Sequence, residues 1–272
     1  MCIRDSRRRA VLRSTQALAS AISWSTMRKR GVLRLVDQEI AEASAWVDRN
    51  TARRLRRVNA VAATAFVLGG SLFAIGAALA QAGSAPTLYC SVYLAGGIFF
   101  STGGYATVLQ SVNGPREVGE DGRFLPRDWH WWANEPQRIE WMSSFALFFG
   151  TIVFAINIVD SFIGGLGAAA ENRLVWSPDV IGCLLFLISG FLAMREIGPG
   201  LLFWSRRRDL GWWIVAVNQL GSVLFMVAAV ASFVRPSSGE ELAVGIANWG
   251  TLTGALCFAI AGAMQEFERP AA

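Results

Sequence analysis

Four polar side chains in strongly apolar surroundings are the residues of this sequence that could do chemistry. Asp160 and Asp179 lie at the ends of two successive apolar runs, and Asn218 and Asn248 lie in two later ones. Ionisable and polar groups at membrane depth are candidates for binding or moving an ion or a polar solute, because their placement there costs free energy. The four residues are therefore candidates for a solute or ion site within a helical bundle.

Structural roles are open to the same four residues. Ser177, Pro178 and Asp179 form a typical helix start, in which serine caps the helix and the acid favours its dipole. Asp160 has no comparable capping role, so its function stays open. The two asparagines would serve equally in hydrogen bonds between membrane helices, which is the commoner use of such groups.

Few residues of the sequence have the type and spacing of a metal site or a catalytic site. The single histidine, His130, stands among three tryptophans in the segment 128–141, and rings flanked by charge are typical of a surface-lying or re-entrant segment at the headgroup layer. The four cysteines, Cys2, Cys90, Cys183 and Cys257, show no metal-ligand spacing. No nucleotide-binding or hydrolase motif occurs. We expect no metal, no cofactor, no catalytic residue and no enzyme activity.

The composition places these residues in a membrane protein. Hydrophobic residues make up 53% of the chain, charged residues only 17%, and the mean hydropathy is +0.39. These values are too apolar for an ordinary soluble domain. The main partner is therefore the lipid bilayer, joined by further copies of the chain or by another membrane protein. Nucleic acid is not expected.

Six apolar runs approach the length of ~20 residues that a bilayer requires. They predict spans at about 58–81, 88–111, 142–165, 178–194, 210–234 and 241–264. The predicted fold class is thus all-α, a polytopic integral membrane protein whose six transmembrane helices form three hairpins. Its domains are a cytoplasmic N-terminal region over 1–57, a transmembrane domain over 58–265 and a tail over 266–272.

A repeated motif, G-x-x-x-F, is common to all six spans. Residues four apart share one face of a helix, and small residues let membrane helices approach closely. The motif therefore predicts the surfaces by which the spans pack together. Its copies are Gly69/Phe73, Gly96/Phe100, Gly150/Phe154, Gly182/Phe186, Gly221/Phe225 and Gly254/Phe258.

The basic residues predict how the spans are oriented. Of the 25 Lys and Arg residues, 23 fall on one side of the predicted spans, and only Arg173 and Arg235 fall on the other. By the positive-inside rule, both termini are cytoplasmic. The expected location is the bacterial inner membrane.

The N-terminal region has a composition of its own. Residues 1–6 are typical of a translated sequencing adapter and are left out of the fold prediction. Apolar residues recur at helical spacing between Val32 and Val47, with acidic residues opposite. This amphipathic helix is expected to dock on the rest of the protein or to lie on the membrane surface.

The last two spans resemble a known family. The segments NQLGSVLFMVAAVASF from Asn218 and NWGTLTGALCFAIAG from Asn248 resemble the YrhK-like membrane proteins, and the resemblance is best over about 210–265. It implies a bacterial inner-membrane protein, and it brings no established activity and no catalytic residue.

Two functional hypotheses follow from the sequence. The first is a non-enzymatic scaffold, sensor or partner-binding protein, which is favoured because polar groups in the spans are few and scattered. The second is a small-solute or ion carrier or channel that uses the outer-half polar residues of the bundle. A membrane enzyme ranks third, because no acid and base can be placed together.

Overall fold

The computed structural model describes residues 49–114, 128–197 and 210–267, and these residues form helices and no strand. Six of the helices are long and apolar enough to cross a membrane. The helices are α1 Arg49–Gln81, α2 Pro86–Asn113, α3 Ile139–Asp160, α4 Ala168–Glu171, α5 Ser177–Ile197, α6 Leu210–Ala231 and α7 Val244–Phe267. The predicted amphipathic helix and residues 1–6 lie outside the described residues.

The junction between α4 and α5 differs from the prediction. Asn172–Trp176 form a π-helical turn that joins the two helices without a break. Ser177 has helical backbone angles, and its hydroxyl donates to the Asn172 carbonyl oxygen at 2.7 Å. The prediction that Ser177 caps a helix start is therefore wrong. A proline has no N–H for the helical hydrogen-bond ladder, so a wider turn before Pro178 lets the helix continue.

The long helices form three hairpins, as the sequence predicts, and these hairpins close into a ring. The hairpins are α1–α2, α3–α5 and α6–α7; each long helix packs on its sequence neighbours, and α7 closes the ring against α1. The side of the ring that holds both described chain ends is called the terminal end here, and the side of the hairpin loops is called the hairpin end.

The six motif phenylalanines meet at the centre of the ring and form what we call the phenylalanine hub. The rings of Phe73, Phe154 and Phe225 lie 5.6, 6.0 and 6.5 Å apart between centroids. Phe258 lies 5.3 Å from Phe100 and 5.9 Å from Phe186. A void of about 10 Å³ remains among the rings, close to the volume of one water-sized probe. The hub therefore fills the middle of the ring.

The motif glycines allow each hairpin to close. A β-carbon at Gly221 would lie 2.9 Å from the Gly254 carbonyl oxygen and 2.9 Å from the Phe258 ring. The reciprocal position, Gly254, faces the Gly221 carbonyl oxygen at 3.1 Å. Equivalent approaches occur in the other two hairpins. Each glycine thus makes room for the backbone and the phenylalanine of its partner helix.

The tryptophan-rich segment before α3 is fastened to the terminal end of the ring. The Asn113 side chain donates to the His130 carbonyl oxygen at 2.7 Å and accepts from the His130 N–H at 2.8 Å. Tyr105 donates to the Trp131 carbonyl oxygen at 2.9 Å. The Trp131 side chain remains 69% exposed. This geometry agrees with a segment at the membrane surface, where rings with a polar edge are favoured.

Candidate functional site

A cavity of about 70 Å³ lies inside the ring, between the phenylalanine hub and the terminal end. We call it the axial cavity. Phe186 and Phe258 of the hub form its floor. All six long helices contribute to its wall, so it belongs to the bundle and to no single hairpin. The wall residues used below are Phe66, Thr107, Ser143, Ser144, Leu147, Ser189, Ala193, Asn218, Ser222 and Gln265.

The motif repeat explains which residues reach this cavity. Phe66, Leu147 and Asn218 each stand three positions before the motif glycine of the first helix of a hairpin. Thr107, Ala193 and Gln265 each stand eleven positions after the motif glycine of the second helix. Residues at equal offsets from a repeated packing motif occupy equivalent places around the ring. Three equivalent positions at each of these two offsets thus face the cavity. The polarity of the side chains at these positions differs from hairpin to hairpin.

Several hydroxyl groups of the wall are engaged in holding helices. The Ser143 hydroxyl donates to the Ser189 carbonyl oxygen at 2.9 Å, and the Ser189 hydroxyl donates to the Ser143 carbonyl oxygen at 2.7 Å. This reciprocal pair joins α3 to α5. Thr107 and Ser222 donate to carbonyl oxygens one turn earlier in their own helices. These four donors are already used, which leaves only their oxygens to accept further bonds.

Three polar groups of the wall are open to the cavity. Among the described residues, the Asn218 amide and the Ser144 hydroxyl make no hydrogen bond, and neither is sealed off from open space by protein atoms. Gln265 donates through its Nε2 to Asn59 Oδ1 at 3.0 Å, whereas its Oε1 atom accepts no bond in the described part of the chain. Polar groups inside a protein normally have partners, so these three await water or a ligand.

A buried amide cluster holds Gln265 in place. Asn59 Oδ1 also accepts from Gln110 Nε2 at 3.2 Å, and Asn59 Nδ2 donates to the Gln265 carbonyl oxygen at 3.3 Å. All three side chains are at most 7% exposed. The cluster ties α1, α2 and α7 together beside the cavity, and it fixes the direction in which the free Gln265 oxygen points.

The structure separates the four residues that the sequence singled out. Only Asn218 lines the axial cavity. Asp160, Asp179 and Asn248 lie towards the hairpin end: Asp160 ends α3, Asp179 accepts a weak bond from the Cys183 thiol at 3.8 Å, and Asn248 donates to Gln81 Oε1 at 3.1 Å. No hydrogen bond joins Asp160 to Asp179 among the described residues.

Helix direction explains this separation. Asn218 and Asp179 share one offset, three positions before a motif glycine. However, α6 runs from the terminal end to the hairpin end, and α5 runs the opposite way. The same offset therefore places the two side chains on opposite sides of the hub.

Sequence reasoning missed Ser144 and Gln265. Single hydroxyls and amides near the ends of apolar runs are common and carry no chemical motif of their own. The motif offset was the available signal for Gln265, which stands eleven positions after a motif glycine. Ser144 stands at neither offset and lies three positions before Leu147 in α3.

The described wall residues of the cavity offer groups for binding rather than for catalysis. Its described wall contains no ionisable side chain, so it offers no acid, base or activated nucleophile there. Within residues 49–114, 128–197 and 210–267, no three His, Cys, Asp or Glu side chains come together as metal ligands would. The arrangement can bind a small polar molecule through hydroxyl and amide groups.

Comparison with known proteins adds no name to this description. No protein-family model matches the chain. No curated protein and no solved structure matches it significantly. The resemblance of residues 210–265 to the YrhK-like membrane proteins stays a prediction from the sequence.

Proposed function

We propose that this chain is a non-enzymatic, multi-pass protein of the bacterial inner membrane that binds a small polar ligand in the axial cavity, as a sensor does. The observation that carries the proposal is the cavity wall itself. Polar groups from α3, α6 and α7 converge there without partners among the described residues. Water or a polar ligand can satisfy these open groups, whereas an apolar occupant of the cavity would leave them unpaired, at a cost of about 1–3 kcal/mol each.

The orientation of the bundle supports a ligand from the cytoplasm. The cavity lies at the terminal end, and the strong excess of arginine on that side is typical of the cytoplasmic face. Asn218 lies about 12 Å along α6 from its first residue, as 1.5 Å per residue implies. The proposed site therefore lies within reach of that face and outside the phenylalanine hub.

The proposal is tested by thermal unfolding of the purified protein against a panel of ions, pH values and small metabolites. A ligand at a hundred times its Kd stabilises the folded state by about 2.7 kcal/mol, which is readily detected. We expect at least one compound to raise Tm in the wild type and in Asn248→Leu, and to lose its effect in Asn218→Leu. The two substitutions make the same chemical change at opposite ends of the bundle, and Asn248→Leu also removes an exposed hydrogen bond to Gln81. A flat panel, or an effect equal in both variants, would overturn the proposal.

A carrier is the second candidate, and one observation favours it. The axial cavity lies directly against the hub, whose rings enclose a further small void, so a path along the axis of the ring would begin at this floor. In this structure the hub closes that route. Proteoliposome uptake of a compound found in the panel would distinguish the two roles: a carrier loses uptake in Asn218→Leu, whereas a sensor shows binding without uptake.

A further inference from the structure

The wall of the axial cavity also indicates the chemical class of its ligand. Because no described wall residue is ionisable, a charged molecule would lose its hydration and meet no opposite charge. A wholly apolar molecule would leave the open amide and hydroxyl groups unpaired. The ligand that fits is uncharged and forms hydrogen bonds.

The free groups require both a donor and an acceptor from that ligand. Gln265 Oε1 can only accept a hydrogen bond, so the ligand must carry an N–H or O–H group. The Asn218 Nδ2 and Ser144 Oγ atoms can both donate, so the ligand must also carry an acceptor oxygen. These groups come from three different helices around the cavity.

The phenylalanine floor and the volume of the cavity limit the shape and the size of the rest of the ligand. Phe186 and Phe258 present ring surface, with centroids 5.9 Å apart, and this surface suits a short apolar or planar portion. A cavity of 150 Å³ holds benzene, whereas this one measures about 70 Å³. Scaled from the six non-hydrogen atoms of benzene, the volume admits a molecule of about three to four non-hydrogen atoms.

We propose that the axial cavity binds a small uncharged amide, whose N–H group donates to Gln265 Oε1 and whose carbonyl oxygen accepts from Asn218 or Ser144. This inference rests on the proposed function, since it assigns a ligand class to that same site. An amide satisfies all requirements at once: it is neutral, planar and small, and its donor nitrogen and acceptor oxygen are bonded to the same carbon.

Three probe molecules of equal size test whether the ligand is a small uncharged amide. Acetamide carries a donor and an acceptor, acetone carries the acceptor only, and acetate carries a charge; each has about four non-hydrogen atoms, near the cavity's limit. Saturation-transfer NMR titrations of the protein in nanodiscs would give their affinities. We expect acetamide to bind about tenfold more tightly than either of the others, because an unpaired buried acceptor disfavours acetone and lost hydration disfavours acetate.

Matched variants place the binding in the cavity. Asn218→Leu should remove the preference for acetamide over acetone, whereas Asn248→Leu should keep it. Equal binding of the three probes, or a preference that survives Asn218→Leu, would overturn the ligand class. If acetamide fails but a charged or larger compound stabilises the protein in an Asn218-dependent way, the proposed function stands and the amide class is wrong. If no compound binds, both are wrong.

Discussion

Single motif glycines determine how closely the two helices of a hairpin approach. Gly221 is the clearest case, since any side chain there would meet the Gly254 carbonyl oxygen and the Phe258 ring. The contact partner is backbone, which cannot move aside as a flexible side chain would. We therefore treat this glycine as a packing residue with no role in binding.

We predict that Gly221→Ala destabilises the protein. Overpacking costs about 1–3 kcal/mol, and the better helix propensity of alanine offsets it by at most about 1 kcal/mol. Denaturant titration of the detergent-purified protein would measure the difference in free energy of unfolding. The control is Gly245→Ala in α7, where the added β-carbon meets nothing within 4 Å. That control should be neutral or stabilising, and equal losses in the two variants would contradict the packing role.

At the scale of elements, one side chain joins the second hairpin to the third. Asn172 of the π-helical turn donates to the Val234 carbonyl oxygen at 2.7 Å and accepts from the Val234 N–H at 2.9 Å. Val234 lies in the α6–α7 loop and is 4% exposed. Nearby, Trp176 donates to the Ala229 carbonyl oxygen at 2.8 Å. The π-helical turn thus positions two groups that hold the hairpin end together.

Asn172→Ala should cost about 2 kcal/mol or more, because it leaves both buried backbone groups of Val234 without their partner. Hydrogen exchange should show faster exchange of the Val234 amide and its neighbours, with little change at the terminal end. Asn248→Ala is the matched control, since it removes only an exposed bond to Gln81. If Asn172→Ala leaves the exchange of the α6–α7 loop unchanged, the proposed link between these hairpins is wrong.

The α6–α7 loop also carries a titratable group with a perturbed environment. Partial burial raises the pKa of the Glu241 carboxyl above its ordinary value, and the nearby Glu171 raises it further. Because the folded-state pKa is raised, the protonated form favours folding. This contribution is complete below the unfolded-state pKa and is lost as the pH rises through the raised value.

We predict that Tm measured against pH shows this contribution in the wild type. Stability attributable to Glu241 should increase as the pH falls from neutrality towards the ordinary pKa of glutamate. Glu241→Gln cannot titrate, so the difference in Tm between wild type and variant should shrink in acid and grow near neutrality. A difference that is independent of pH would show that Glu241 does not titrate in a raised range.

At the scale of the whole molecule, the ring has two unlike ends separated by the phenylalanine hub. The terminal end holds the axial cavity and both described chain ends, and the hairpin end holds the three hairpin loops. The long helices share one packing motif, but the side chains at equivalent positions differ. This makes the terminal end unlike the hairpin end. The axial cavity with its open polar groups thus lies at the terminal end of a bundle whose three hairpins share one packing motif.

We predict that the terminal end faces the cytoplasm, as the distribution of arginine implies. A fluorescent protein fused after Ala272 should fluoresce in cells, and alkaline phosphatase inserted after Ser237 in the α6–α7 loop should be active. The control exchanges the two reporters, and both should then be silent. The opposite pattern would reverse the orientation and place the proposed site on the outer side of the membrane.

The sequence by itself determined the elements and their pairing. Hydropathy identified all six membrane helices, because length and apolar content follow from the thickness of the bilayer. The G-x-x-x-F motif identified the faces that meet at the ring centre, because a four-residue period keeps one face of a helix aligned. The predicted helix start at Ser177 was wrong, because a π-helical turn before it allows the chain to remain helical.

Only the tertiary structure decided which polar residues form the site. Asp179 and Asn218 have the same offset from a motif glycine, yet antiparallel helices place them on opposite sides of the hub. Ser144 and Gln265 carry no chemical motif of their own, and they line the candidate site because ring closure brings α3 and α7 around a common axis. A site formed at the centre of a bundle depends on the direction and closure of all its helices, which no single segment of the sequence records.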